Sequence, residues 1–327
     1  VDEIFNKATV KESTSKVTYM ISDKDISVVV QGPIHTQDNL TKRVLESVRT
    51  HLPNAELILS TWKGSQIDGL DCDVLLLNDD PGAINGRNNV NRQIVSTRNG
   101  LQKATRTYAV KLRTDTQLTG TGFIDAFDKY PERREDFKVF EHKIVIPTLY
   151  TRNPRRSYLF HPSDVFQFGL RSDMIELWSI PLYSKTVIFN SEFGSPPEQF
   201  LWLSVLKEKG FNITCSLNTL SPLLAFVSEA SLFNNFIIQS FEDLTLKPPE
   251  RFIGFSGPHL CYTKREIESA YNDFCVQKKK NYSFQDYFYF LIKFSVTKFS
   301  LSYPTIRKIA TQFGVREIYL RILGISR

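Results

Sequence analysis

The segment Lys111-Leu112-Arg113-Thr114-Asp115 puts two cations and a carboxylate within five residues, where an apolar run ends. Alternate residues of a strand share a face, so Lys111, Arg113 and Asp115 would point together. An anionic diphosphate needs cations or a carboxylate-bound metal, and this segment offers both. The plain alternative is a Lys–Asp or Arg–Asp surface pair. Two more polar groups stand after apolar runs: Gln31-Gly32 follows residues 26–30, and Asp79-Asp80 follows residues 73–77. In an open α/β sheet, ligands bind beyond the carboxyl ends of the strands. All three groups would then face one crevice.

The elements that must hold them read as follows. Residues 26–30 (ISVVV) are short, β-branched and wholly apolar, the pattern of a buried parallel strand. Asp38 can cap a helix with Leu40, Val44 and Val48 on its apolar stripe, closed by Pro53. Strands follow at 56–61 and 73–77, then a helix at about 88–105 and a fourth strand at 108–112. This alternation predicts an α/β fold with a mostly parallel sheet flanked by helices. Further on, strands are expected at 143–148, 165–170 and 211–215, and helices at 198–210 and 265–277. Residues 221–256 show no clear pattern. The end of the chain reads as amphipathic helices interrupted at Pro304.

Composition narrows the function classes. With 41% hydrophobic and 23% charged residues the chain resembles an average globular protein. No stretch approaches the roughly 18 uncharged apolar residues of a spanning helix, and residues 1–18 lack the apolar core of a signal peptide. The four cysteines show no CxxC spacing, which suggests buried thiols rather than a zinc site or disulfide framework. A cytoplasmic protein is expected. The net charge of +6 is unevenly placed: from Lys278 onward ten Lys/Arg face two acids, and eleven of the 41 aromatic residues lie there. A near-neutral body with a basic aromatic tail excludes a uniformly basic nucleic-acid binder. The tail, 278–327, would instead lie on an anionic membrane, its rings at headgroup depth. Packing against the body is the other reading.

Several ordered motifs carry a resemblance. They are Val29-Val30-Gln31-Gly32-Pro33, Leu59-Ser60-Thr61-Trp62, Asp80-Pro81-Gly82, Asn89-Val90-Asn91-Arg92-Gln93-Ile94-Val95-Ser96-Thr97, Gly100-Leu101 and Lys111 to Asp115. Together they resemble the WavE family of bacterial lipopolysaccharide-synthesis glycosyltransferases over roughly residues 25–215. The same stretch is more distantly similar to GT-A nucleotide-diphospho-sugar transferases. There an Arg-Asn-x-Gly helix, here Arg98-Asn99-Gly100-Leu101, precedes the strand with an Asp-x-Asp motif. This chain has Arg113-Thr114-Asp115, so Asp115 alone remains to hold a divalent manganese or magnesium ion.

The resemblance implies a nucleotide-sugar donor and a glycan or glycolipid acceptor. Gln31, Gly32, Pro33, Asp80 and Arg92 would hold the nucleotide, and Lys111, Arg113, Asp115 and His259 the diphosphate. In inverting members a catalytic carboxylate opens a helix, and Glu198 stands there in Pro197-Glu198-Gln199-Phe200-Leu201-Trp202. It is equally suited to a simple cap. Asp164, in His161-Pro162-Ser163-Asp164, is the rival base or a sugar ligand. The expected organisation is an extension at 1–24, a glycosyltransferase domain at 25–277 (nucleotide half 25–115, acceptor half 116–277) and the tail. The expected location is the inner face of the cytoplasmic membrane. A sugar-phosphate nucleotidyltransferase and a non-catalytic assembly scaffold are the alternatives.

Overall fold

The computed structural model describes residues 21–83, 89–184, 196–215, 221–255 and 260–283. Buried apolar runs build the sheet. β1 (Ile26–Gln31) is buried at all six positions and pairs in parallel with β2 (Glu56–Trp62) on one side and β4 (Tyr108–Arg113) on the other. β3 (Val74–Asn78) lies outside β2. The chain thus steps outward from β1 to β3 and returns past β1 to β4. That reversal makes the gap between β1 and β4 the topological switch point, where such sheets bind ligands.

Beyond β4 the sheet continues through β7 (Phe166–Leu170), β6 (Ile144–Pro147) and β8 (Phe236–Gln239), giving the order β3-β2-β1-β4-β7-β6-β8. Only β7 runs antiparallel to its neighbours. Strands from both sequence halves, 25–115 and 116–277, therefore share one sheet. A separate two-stranded ladder joins β5 (Gln117–Leu118) to β9 (Leu246–Lys247).

Helices cover both faces. α1 (Leu40–His51) and α3 (Gly122–Ala126) enclose one core, where Val44, Val48 and Phe123 pack near Val28, Val30 and Leu112. α2 (Val90–Lys103), α4 (Arg171–Trp178), α5 (Pro197–Glu208) and α6 (Pro222–Asn235) enclose the other with Val29, Ile58 and Ala109. α2 presses closely on the sheet at Gly100, where an added Cβ would come within 2.3 Å of Val29 Cγ1. α7 (Glu250–Phe255) and α8 (Lys264–Tyr271) complete the described elements, with one wide turn at Asn272–Val276.

Four expectations are corrected. Residues 211–215 form no strand; Phe211 and Cys215 are buried in irregular backbone, and β8 takes the remaining place in the sheet. α1 is preceded by Asn39 in the left-handed region, not capped by Asp38, which lies in a short turn with φ 52°. Cys215, Cys261 and Cys275 are buried, but Cys72 is partly exposed. The patternless stretch 221–256 holds α6 and β8. α6 is buried at every position from Ala225 to Asn235, its serines, glutamate and asparagines included, so it has no solvent-exposed face to give the usual amphipathic period. Its entry is set by Ser221, whose hydroxyl accepts the Leu224 N–H at 3.3 Å.

Candidate active site

The loop after β1 must turn sharply at the switch point. Gly32 has φ +127°, and a Cβ there would lie 3.0 Å from Thr114 Oγ1. Both facts favour glycine. Thr114, just past β4, ties the loop down: its hydroxyl donates to the Pro33 carbonyl at 2.7 Å and its N–H to the Gln31 carbonyl at 3.1 Å. Gln31 is itself held from above, accepting from Ser96 Oγ of α2 at 2.7 Å. The motifs 29–33, 89–97 and 111–115 thus meet at one corner.

Asp115 is the centre of that corner, with its side chain fully buried. Arg113 makes a two-pronged bond to it, Nε and Nη2 each 2.9 Å from a carboxylate oxygen. Arg251 of α7 also binds the carboxylate, and His35 Nε2 approaches to 3.8 Å. Burial acts most strongly on Asp115 and acts upward. The hydrogen bonds and charge of Arg113, then Arg251 and His35, outweigh it and hold the carboxyl below its usual range. His35 is pushed down, by burial first and then by the two arginines, against the pull of Asp115. The Phe252 ring is close to both guanidiniums, 5.0 Å from Arg113 and 5.1 Å from Arg251.

This corner does not fit a divalent metal. Both Asp115 oxygens already accept from guanidinium groups. Among the described residues no three His, Cys, Asp or Glu side chains converge to ligate an ion.

A second group lies beside the first. Because β7 is antiparallel and pairs Phe166 with Leu112, the residue two before it, Asp164, comes level with Thr114. Asp164 is 3% exposed, and its Oδ2 has no hydrogen-bond partner among the described residues. A buried oxygen of this kind calls for a ligand or water donor. Lys111 lies beneath, fully buried, its Nζ donating to the Asp164 carbonyl and 5.1 Å from the Trp178 ring centre. Burial lowers Lys111 to about 8, against the opposing pull of Asp164, Glu198 and Asp115. Lys111 therefore does not share an open face with Arg113, because β7 and α4 cover it.

Glu198 enters from the first turn of α5, its side chain 13% exposed. Burial, and then the charge of Asp164, push its carboxyl up to about 8, although Arg152 and Lys111 pull the other way. His161 Nε2 stands 3.5 Å from Glu198 Oε2, while Nδ1 lies 2.8 Å from the Tyr150 carbonyl. A carbonyl only accepts, so the proton sits on Nδ1. Burial, then Arg152, pushes His161 down to about 3. The ring is neutral at ordinary pH, and Nε2 offers a lone pair to the protonated Glu198.

The other expected residues fall around this edge. Asp80 and Arg92 bind each other in an exposed two-pronged pair at 2.7 and 2.6 Å, beside edge strand β3. Two strand spacings, about 10 Å, separate them from β1, a reach that a nucleoside can span. His259 lies outside the described residues, as does Asn88 at the expected start of α2. Sequence reasoning missed His35, Arg152, Arg251 and Phe252. The available signal for Arg152 was the basic run around Arg155-Arg156; the others carried none. A separate hollow of about 360 Å³ between α1 and residues 69–71 is lined by Lys42, Glu46, Arg49 and Asp71, and Arg49 is bonded to Asp71 at 2.9 Å.

The sheet order defines a GT-A-like, Rossmann-type α/β protein with the charged corner at its topological switch point. The chain belongs to the WavE lipopolysaccharide synthesis family, whose model matches residues 26–301. No curated protein matches it. No helix among the described residues is long and apolar enough to cross a membrane.

Proposed function

We propose that the chain is a glycosyltransferase that moves a sugar from a nucleotide-sugar donor to a bacterial surface glycan or glycolipid. The supporting observation is Glu198, a carboxyl raised to about 8 next to a neutral histidine, at the edge that also carries the Arg113–Asp115 corner. A general base works best with a pKa near the working pH. In the reaction, an acceptor hydroxyl oxygen attacks the anomeric carbon and its proton passes to Glu198. The bond to the donor diphosphate breaks, and the electron pair leaves with the nucleoside diphosphate. Negative charge develops there, so fixed cations at that point lower the barrier.

Gln31, Gly32 and Pro33 would line the nucleotide, with Asp80 and Arg92 at its far end. Asp164, with its free Oδ2, would accept a hydroxyl of the transferred sugar. Attack opposite the leaving group makes the reaction inverting. The basic aromatic tail would bring the enzyme to the anionic membrane where a lipid-linked acceptor resides. Incubating the purified protein with a panel of sugar nucleotides and measuring nucleotide release tests the proposal. Release of one nucleotide, lost in Glu198→Gln, is the expected result. Absence of release across the panel, with the protein folded, would favour a scaffold role. Pyrophosphate release from a sugar phosphate and a nucleoside triphosphate would favour a nucleotidyltransferase.

A further inference from the structure

The cationic corner has more positive charge than its one carboxylate balances. Arg113, Arg251 and His35 reach it from three separate parts of the chain: β4, α7 and the loop after β1. Asp115 is fully buried, whereas the Arg251 side chain is 51% exposed and Arg113 and His35 are 21% and 28% exposed. The carboxylate is thus underneath, and the two guanidiniums and the imidazole are on the solvent side. Phe252 sits near both guanidiniums at about equal distance, and the Tyr150 ring stands at 87° to it, 5.4 Å away. Two planar donors braced on one aromatic ring and anchored by one buried anion form a preorganised receptor for paired phosphate oxygens.

We infer that Arg113, Arg251 and His35 form a metal-free clamp for the donor's diphosphate, with Asp115 as the buried counter-anion that positions the two arginines. This rests on the glycosyltransferase reading for its ligand, but not for its geometry. Arg251 and His35 bind phosphate oxygen directly; Asp115 touches no substrate. The consequence separates this arrangement from a metal site. A carboxylate that ligates a metal is needed for anion binding. One that merely balances cations repels the incoming anion, and its neutralisation leaves anion binding intact or tighter.

The experiment is calorimetric titration of inorganic pyrophosphate into the full chain in excess EDTA. The wild type should bind, Arg251→Ala should weaken binding about tenfold or more, and Arg251→Lys should recover part of the loss. Asp115→Asn should bind pyrophosphate at least as tightly as the wild type while losing nucleotide release. Arg49→Ala, a remote paired arginine, should change nothing, and circular dichroism establishes that each variant is folded. Wild-type binding that appears only with added manganese would overturn the clamp. So would unchanged affinity in Arg251→Ala, or a folded Asp115→Asn protein that no longer binds. Displacement of pyrophosphate by nucleoside diphosphates, more readily than by a short prenyl diphosphate, assigns the clamp to the donor. The reverse order assigns it to a lipid-linked acceptor and overturns this proposal. If nucleoside diphosphates bind here but no sugar nucleotide is turned over, the clamp stands and the transferase reading fails.

Discussion

Burial gives Glu198 two properties that can be measured separately. Its carboxyl titrates near 8 in the folded protein, against 4.5 for an ordinary glutamate. The folded state therefore holds this proton more tightly than the unfolded chain does. By linkage, the Glu198 contribution to stability is fully present below about pH 4.5 and is lost as pH rises through about 8. The base form accumulates over the same upper range. The rate should climb with pH to a plateau above about 8 while the melting temperature falls. Glu198→Gln should remove both trends, because the amide does not titrate. Its rate should drop about 10²- to 10⁴-fold, and above pH 8 it should melt higher than the wild type. Asp164→Asn is the matched control: a sugar ligand should mainly raise the Michaelis constant. A rate loss confined to Asp164→Asn would move the base to the loop before β7.

At the scale of elements, the site depends on α2 lying close to β1. Alanine at Gly100 would press its Cβ into Val29 Cγ1, and Ser60 Cβ is only 3.4 Å away. The helix must lift, and Ser96 would move off Gln31. Gly100→Ala should therefore cost about 1–3 kcal/mol in urea unfolding and weaken nucleotide binding together with stability. An unchanged midpoint would mean that the sheet yields more easily than this packing suggests. The same contrast explains what was legible beforehand. β1, β2 and β4 were readable because each is an apolar run ended by turn residues, and α1 and α2 because each has one wet face. α6 has none, so its period was hidden. β8 follows α6 without a turn residue between them. Asp164 was legible as a carboxylate, but its place beside Thr114 depends on β7 being antiparallel, a matter of pairing rather than of local sequence. Arg251 meets Asp115 across 136 positions of chain, and no spacing rule announces such a contact.

For the whole molecule, the question is where the body ends and the basic aromatic tail begins. The sequence change falls at Lys278, but the packing does not stop there. Tyr282 donates its hydroxyl to the buried Glu229, its ring meets Phe226 edge-on at 5.5 Å, and Arg155 lies over it at 5.0 Å. Tyr282 therefore belongs to the body, not to a membrane-facing row of aromatics, and Lys279 is already paired with Asp273 at 2.9 Å. Residues 284–327 still hold seven Lys/Arg against two acids. Each basic residue near an anionic surface contributes about 1 kcal/mol, enough together for firm attachment at low salt. Ending the chain after Ser283 should keep the Glu229–Tyr282 contact and nucleotide binding, yet abolish sedimentation with anionic vesicles. Wild-type sedimentation should itself weaken with salt, as the screening length falls from ~10 Å at 0.1 M to ~3 Å at 1 M. Ending the chain before Tyr282 should instead destabilise the body, because the Arg155–Glu229 pair loses its phenol partner. Vesicle binding that survives the cut after Ser283 would place the membrane contact elsewhere. Aggregation after that cut would show that residues 284–327 pack on the body rather than on lipid.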